Sequence, residues 1–214
     1  MAKEIIIAID PSSTSLGYAI FIDGILNLED GYGCIKQKQK VLVEQRVLNI
    51  TSEIWSIFKK LKNKRCKKTI VCEDAYVGQS INGSKPNYRI QGILIGLSEV
   101  IGADIHFVYP SHWRKVLNMQ QKGLKRNDYK PISVAYVKNK YGIDVGDDTS
   151  DAICIGDAYL LEKKGYFIPN LENKTDRDYY RLFISQEESR INKLNKKMKS
   201  YNKMSEKILS DLNE

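Results

Sequence analysis

The sequence predicts an α/β fold in which a mixed five-stranded sheet is flanked by helices. Short apolar runs at residues 5–9, 17–22 and 31–36 follow one another closely, as expected of an antiparallel meander. Two further apolar runs, at residues 68–73 and 105–109, alternate with segments of helical periodicity. An early meander followed by alternating helix and strand indicates a sheet that contains both strand orientations.

The first half of the chain supplies the clearest elements. Residues 5–9 form an uninterrupted apolar run, which is typical of a strand buried on both faces. Apolar residues recur on one helical face over residues 41–61, which predicts the first helix. Residues 76–88 are rich in Gly, Asn and Ser and are predicted to be a loop, with a second helix over residues 88–101.

Helices are predicted to dominate the rest of the core. Ser111 is expected to cap a short helix that contains Trp113. The polar, basic segment 119–127 is interpreted as a mobile loop, and Pro131 suits the first turn of the helix that follows. A final core helix is predicted over residues 147–164.

The composition changes near residue 169, which predicts two parts. Residues 1–168 would form the α/β domain, and residues 169–214 a basic helical tail. Apolar residues in the tail fall on heptad-like spacing, which favours one long amphipathic helix. A coiled coil and a helix folded back onto the domain are comparable interpretations.

Charge and cysteine usage narrow the class of protein. The 214 residues carry a formal net charge of +8, which favours a polyanionic partner. The four cysteines show no C-x-x-C spacing and the chain has two histidines, so a structural zinc site is not expected. With no leader pattern and no apolar run of membrane-spanning length, we expect a cytoplasmic protein that does not enter membranes.

Four acidic residues carry the strongest functional signal. Asp10 and Glu73 each end an apolar strand, while Asp148 and Asp151 lie one turn apart at the start of the last core helix. A carboxylate at the end of a buried strand is costly to desolvate unless a cation compensates it. Four converging carboxylates would suit Mg²⁺, and without metal at least one would tend to hold a proton.

Local structure offers a simpler explanation for parts of this pattern. Asp10 precedes Pro and Ser, which is good turn chemistry, and Asp148 could cap a helix. Capping does not explain Asp151, which faces an apolar stretch. Asp157, two turns beyond Asp148, is expected on a solvated edge, and Asp74 on the opposite face of the sheet from Glu73.

Three segments together resemble a known family. The segments IIIAIDPSSTSLGYAIF, VCEDAYVG and DDTSDAICIGDAYL, in that order, resemble the acidic motifs of the RuvC-type Holliday-junction resolvases, which have the RNase H-like fold. The resemblance runs from about residue 5 to residue 161. It implies that Asp10 bridges two metal ions and that Glu73, Asp148 and Asp151 complete a catalytic metal site. The implied cofactor is Mg²⁺, two ions per site, with Mn²⁺ able to substitute.

The resemblance also implies residues that contact DNA. Tyr76 falls where the family carries an aromatic residue that stacks on a base, although an ordinary packed aromatic is the alternative. The basic segment 122–130 would contact the scissile strand through Lys122, Lys125, Arg126 and Lys130. Among these, Lys125 and Lys130 are candidates for a catalytic lysine.

The implied activity is that of a crossover junction endodeoxyribonuclease. Such an enzyme resolves Holliday junctions and other branched DNA by paired nicks, expected to leave 5′-phosphate and 3′-hydroxyl ends, and a homodimer is the simplest way to make both nicks. The dimer would use the helix over residues 88–101 or the tail. Ser12 replaces the Gly usual in cellular bacterial members and is similar to phage-encoded ones, which implies the host cytoplasm.

Three alternatives remain open at this stage. A related RNase H-like nuclease acting on flaps or RNA/DNA hybrids would have nearly the same site. A non-catalytic protein that binds branched DNA could keep the fold. Actin-like ATPases and sugar kinases share a related phosphate loop, but they need a second Gly-rich loop and a duplicated domain that this sequence lacks.

Overall fold

The computed structural model describes residues 4–74, 81–121 and 123–165, together with Asn192, Lys196 and Met198. The chain divides into two compact units, Met1–Phe167 and Ile168–Glu214. The three described positions of the second unit are helical, and the rest of the predicted tail helix lies outside the described residues.

Strands precede helices along the first unit, as the sequence pattern predicts. The described elements are β1 (Glu4–Asp10), β2 (Ser15–Ile22), β3 (Ile25–Leu26), β4 (Tyr32–Lys36), α1 (Val43–Lys62), β5 (Lys67–Glu73), α2 (Ile81–Ile101), β6 (Asp104–Val108), α3 (Pro110–Val116), α4 (Arg126–Tyr141) and α5 (Asp147–Lys163). The five predicted strands are all present, and the two-residue β3 is added to them.

The sheet is mixed and has β1 at its centre. Its order is β3-β2-β1-β5-β6, and β4 pairs with β2. β1 and β2 are antiparallel, whereas β1 pairs with β5, and β5 with β6, in parallel. The predicted mixed sheet is therefore confirmed, and the carboxyl ends of β1, β5 and β6 meet at one edge.

β1 is buried on both faces, as its apolar run predicts. Ile5, Ile7 and Ile9 pack into the cluster formed with α1 and α2, on what we call the α1–α2 face. Ile6 and Ala8 pack into the cluster formed with α3, α4 and α5, on the α3–α5 face. Because side chains alternate along a strand, this parity assigns the residue that ends β1 to the α3–α5 face.

The predicted start of the second helix is wrong. The described part of α2 begins at Ile81 and has Pro86 inside it, where a loop was predicted. A proline removes one backbone hydrogen bond, but buried residues further along, including Ile90 and Leu94, bind this helix to the core. Packing therefore overrides the Gly-, Asn- and Ser-rich composition of the segment.

The starts of α3 and α4 also differ from prediction. The residue that precedes α3 is Tyr109, with Pro110 in the first turn, so Ser111 is not the cap. α4 begins at Arg126, because the Asp128 carboxylate accepts a hydrogen bond of 2.7 Å from the Lys125 backbone N–H. Part of the predicted basic loop is thus helical.

Three buried polar or sulfur-containing residues test the predicted core. Cys72 and Cys154 are fully buried, which confirms them as core residues. Asp157 is only 2% exposed and accepts a hydrogen bond of 2.7 Å from the Tyr141 hydroxyl, so its predicted place on a solvated edge is wrong. Lys140 forms an ion pair of 2.8 Å with the same carboxylate, which compensates its burial.

The length and hydropathy of the described helices bear on whether the chain could cross a membrane. None of them combines the length and the apolar character that crossing a bilayer requires.

Candidate functional site

The first two candidate carboxylates lie side by side at the carboxyl edge of the sheet. The parallel register pairs Ile9 of β1 with Cys72 of β5, and Asp10 and Glu73 are the next residues of the two strands. By strand alternation, both side chains belong to the α3–α5 face. A bond of 2.8 Å from the Trp113 indole of α3 to the Glu73 carboxylate agrees with this assignment.

The start of α5 lies directly against the same edge. Asp10 pairs with Gly17 across the β1–β2 ladder. A Cβ atom added to Gly17 would lie 1.9 Å from the carbonyl oxygen of Asp148 and 3.2 Å from the backbone nitrogen of Thr149. Only glycine allows this approach, which brings the first turn of α5 beside the end of β1.

The Asp148 side chain is held by β2 and β4. The Ser15 hydroxyl donates a hydrogen bond to Oδ2 of Asp148. The Cys34 sulfur lies 3.1 Å from the Ser15 hydroxyl and 3.9 Å from the same carboxylate oxygen. Asp148 is therefore oriented by strand residues and does more than begin a helix.

Two thiols, those of Cys72 and Cys34, lie near these acids. Burial raises the pKa of the Cys72 thiol well above its usual value, and the charges of Asp10 and Glu73 raise it further. Burial also raises the pKa of Cys34, and the charges of Asp148 and Asp10 add to that effect. The charge of Asp10 contributes to both upward pKa shifts.

Asp151 is one helical turn beyond Asp148 and is partly buried. Burial raises the pKa of its carboxyl group, the Ser133 hydroxyl and the Arg114 guanidinium oppose the shift, and the charge of Asp148 adds to it. Its Oδ1 atom is buried and has no hydrogen-bond partner among the described residues. A buried carboxylate oxygen of this kind has a lone pair that a cation can bind.

The donor set suits a hard divalent cation. All four candidate ligands supply carboxylate oxygens, which Mg²⁺ and Mn²⁺ prefer, and Asp151 presents a buried oxygen with an unused lone pair. Within residues 4–74, 81–121 and 123–165, no three His, Cys, Asp or Glu side chains already form a metal-holding group. The backbone brings the acids to one edge, whereas the side chains are not preassembled around an ion.

The basic candidates lie on or next to α4. Lys130 forms an ion pair with Asp147, at the start of α5, and this interaction lowers the pKa of Asp147. Lys125 is exposed and precedes α4. For Arg126 the structure gives a helical backbone position only, and Tyr76 and Lys122 lie outside the described residues.

Reasoning from the sequence missed three residues that hold the acids in place. The Ser15 hydroxyl donates a hydrogen bond to Asp148. The Gln91 amide donates one of 3.0 Å to the Glu73 backbone carbonyl, and the Trp113 indole donates one to the Glu73 carboxylate. A buried tryptophan usually needs a hydrogen-bond acceptor for its indole N–H. Of the three residues, Trp113 is therefore the one whose role the sequence could have indicated. The Gln91 amide nitrogen also lies 3.4 Å from the Asp74 carboxylate. Asp74 therefore lies on the α1–α2 face, opposite to the Glu73 side chain, as predicted.

Comparison with known proteins gives matches among solved structures only. No protein-family model matches the chain, and no curated protein matches it significantly. RuvC from Thermus thermophilus in complex with a Holliday junction substrate matches with a TM-score of 0.57 and 15% identity, covering 75% of this chain and 96% of that chain. A second Thermus thermophilus RuvC structure matches with a TM-score of 0.54, 15% identity and the same coverage of 75% and 96%.

The yeast mitochondrial Holliday junction resolvase Ydc2 gives a TM-score of 0.44 at 14% identity, covering 85% of this chain and 83% of that chain. The two RuvC matches span nearly the whole of that protein, so they compare complete folds. The prediction made from the three acidic segments is confirmed at the level of architecture: the chain has the RNase H-like fold of the RuvC type.

Proposed function

We propose that this protein is a metal-dependent, structure-selective endodeoxyribonuclease that resolves Holliday junctions and other branched DNA by paired nicks. The observation that carries the proposal is the meeting of Asp10, Glu73 and the Asp148–Asp151 turn at one edge of the sheet. The fold likeness to RuvC, solved with a Holliday junction substrate, supports the class of DNA substrate.

The four carboxylates would hold the metal. Asp10 ends β1, which lies between β5, the strand that carries Glu73, and β2, against which the Asp148 backbone packs. In this position Asp10 would be able to contribute to the binding of more than one ion. Divalent metal bound there would supply an activated water and stabilise the leaving 3′-oxygen. The buried Oδ1 atom of Asp151, which has no hydrogen-bond partner among the described residues, supports a role for a cation.

Basic residues beside the acids would bind the phosphate backbone. Lys130 lies next to the start of α5 through its ion pair with Asp147, and its side chain is 45% exposed. A surface ion pair of this kind contributes little stability, so the ammonium group can exchange its partner for a phosphate. Lys125, one residue before α4, would extend the same basic surface. The net charge of +8 favours this interaction over long range.

Two nicks across a four-way junction require two sites, and we propose a homodimer to supply them. α2 exposes three large apolar residues that could form the contact: Tyr88 at 39%, Ile95 at 48% and Val100 at 47%. Light scattering would measure the mass, and an Ile95→Lys variant should favour the monomer if this helix forms the interface.

The proposal is tested by cleavage of a matched substrate set. Wild-type protein and the Asp10→Asn variant would be incubated with a four-way junction, a flap, an RNA/DNA hybrid and a linear duplex, with Mg²⁺ or with EDTA. We expect Mg²⁺-dependent paired nicks in the junction and none from Asp10→Asn, which keeps its size but loses a charged ligand. Glu29→Gln is the matched control, since Glu29 is an exposed acid outside the site edge.

Each outcome has a defined meaning. Preferential cutting of the flap or the hybrid would contradict junction resolution and favour a related nuclease that acts on flaps or RNA/DNA hybrids. Tight binding of junctions by wild type without any cutting would favour the non-catalytic DNA-binding protein. Equal cutting by wild type and Asp10→Asn would remove the acidic site from the mechanism.

A further inference from the structure

Glu73 is held in place from both faces of the sheet. On the α1–α2 face, the Gln91 amide of α2 donates a hydrogen bond of 3.0 Å to the Glu73 backbone carbonyl. On the α3–α5 face, the Trp113 indole N–H donates a hydrogen bond of 2.8 Å to Oε2 of the Glu73 side chain. The first bond fixes the end of β5, and the second fixes the direction of the carboxylate.

The chain path explains why an indole lies at this place. Glu73 pairs with Val108, the last residue of β6. Pro110 then begins α3, and the first turn of this helix returns Trp113 to the end of β5. The register of two parallel strands and a short helix therefore bring the donor and the acceptor together.

The indole has little freedom to move. Trp113 is 1% exposed and belongs to the core cluster of the α3–α5 face. The Arg114 guanidinium lies 4.7 Å from the Trp113 ring centroid and 4.6 Å from that of Tyr129. A guanidinium stacked between two rings restrains both of them. The Nε1–H direction is consequently fixed by packing.

We propose that Trp113 is a positioning residue that orients the Glu73 carboxylate for a divalent cation. The inference rests on the proposed role of Glu73 as a metal ligand. The indole N–H donates to Oε2, and this bond fixes the direction in which the Glu73 carboxylate points. Hydrogen bonds that orient metal ligands in this way typically change metal affinity by about 10-fold to 100-fold.

A core tryptophan could instead serve packing alone, and the two roles give different results in Trp113→Phe. Phenylalanine keeps an aromatic ring in the core but has no N–H. We expect Mn²⁺ binding by the protein alone, followed by the electron paramagnetic resonance of free Mn²⁺, to weaken about 10-fold or more. The matched control is Trp55→Phe, because Trp55 is a partly buried tryptophan on α1, packed against the other core cluster.

Thermal unfolding of both variants separates orientation from packing. A packing role predicts a loss of stability with Mn²⁺ affinity unchanged, and that result would overturn the proposal. Trp55→Phe should retain wild-type affinity whatever its melting temperature. The comparison uses full-length protein without DNA, so it does not depend on nuclease activity.

A fluorescence measurement decides the matter if Trp113→Phe fails to fold. The chain has two tryptophans, so Trp113 is the sole fluorescent indole in Trp55→Phe. Mg²⁺ should shift its emission, because a cation on the carboxylate weakens the bond from the indole N–H, and adding Asp10→Asn should abolish the shift. An unchanged emission at Mg²⁺ concentrations that saturate binding would refute the proposal.

Failure of the inference and failure of the proposed function can be told apart. If wild type and Trp55→Phe bind Mn²⁺ and a folded Trp113→Phe binds it equally well, the positioning role alone is wrong. If wild type binds no Mn²⁺ at millimolar concentrations, the metal site and the role of Trp113 are both wrong.

Discussion

Gly17 offers the sharpest test of how the candidate site is built. A methyl group at this position would lie 1.9 Å from the Asp148 carbonyl oxygen, whereas Cβ contacts under 3.0 Å essentially never occur. In Gly17→Ala, the start of α5 must therefore move away from β2 by at least 1.1 Å, the gap between those two distances. The contact is with backbone, so no flexible side chain can yield.

The expected cost has a structural and a functional part. Forcing an extra methyl group into a packed contact costs about 1–3 kcal/mol of the free energy of unfolding. For a chain of this size that corresponds to a fall of roughly 2–4 °C in melting temperature per kcal/mol. Displacing a reacting group by about 1 Å lowers catalysis about 100-fold, so junction cleavage should fall further than stability alone explains.

Urea unfolding and junction cleavage would measure the two parts. Gly146→Ala is the matched control, because Gly146 precedes α5, has a φ of −73° and has no atom within 4 Å of an added Cβ. Alanine is a poorer N-cap than glycine, so the control should lose less than about 1 kcal/mol. A Gly17→Ala protein with wild-type stability and wild-type cleavage would refute the close contact between β2 and α5.

Three further expectations follow from contacts at the same edge. Ser15→Ala should lower cleavage about 10-fold, since a hydrogen bond to the charged Asp148 contributes roughly 1.5–3 kcal/mol. The control is Ser52→Ala, on the exposed face of α1, and an unchanged rate in Ser15→Ala would argue against this bond. Lys130→Met should lower cleavage and junction affinity while changing unfolding by less than about 1 kcal/mol, and a purely structural lysine would show the reverse. Alkylation at pH 8, followed by mass spectrometry, should leave the thiols of Cys72 and Cys154 unmodified until the protein is unfolded, because burial raises their pKa values and excludes the reagent. Labelling of either thiol in the folded protein would contradict its assignment to the core.

Strand positions were predictable from the sequence because each strand has a strong local signal. β1 is a continuous apolar run, and its burial on both faces follows from that run. Once Asp10 and Glu73 end neighbouring parallel strands, their alignment and shared face follow from register and alternation. The sequence alone therefore predicted that these two acids lie at one edge of the sheet.

Helix starts and buried polar contacts were less predictable because they depend on packing. α2 includes residues that favour loops, since the rest of the helix is bound to the core. Asp157 appears solvent-facing by its charge, yet Tyr141 and Lys140 of α4 compensate it. The bond between Trp113 and Glu73 joins residues 40 positions apart, and no local pattern encodes it.

The order of the elements has a consequence for synthesis of the protein. Asp10 lies on β1 and is synthesised early, whereas its neighbour Asp148 lies on α5 and is synthesised much later. A growing chain that ends before α5 has the central strands but lacks two of the four acids, so it cannot complete the acidic edge. A chain truncated before α5 is therefore expected to lack any activity that needs all four acids.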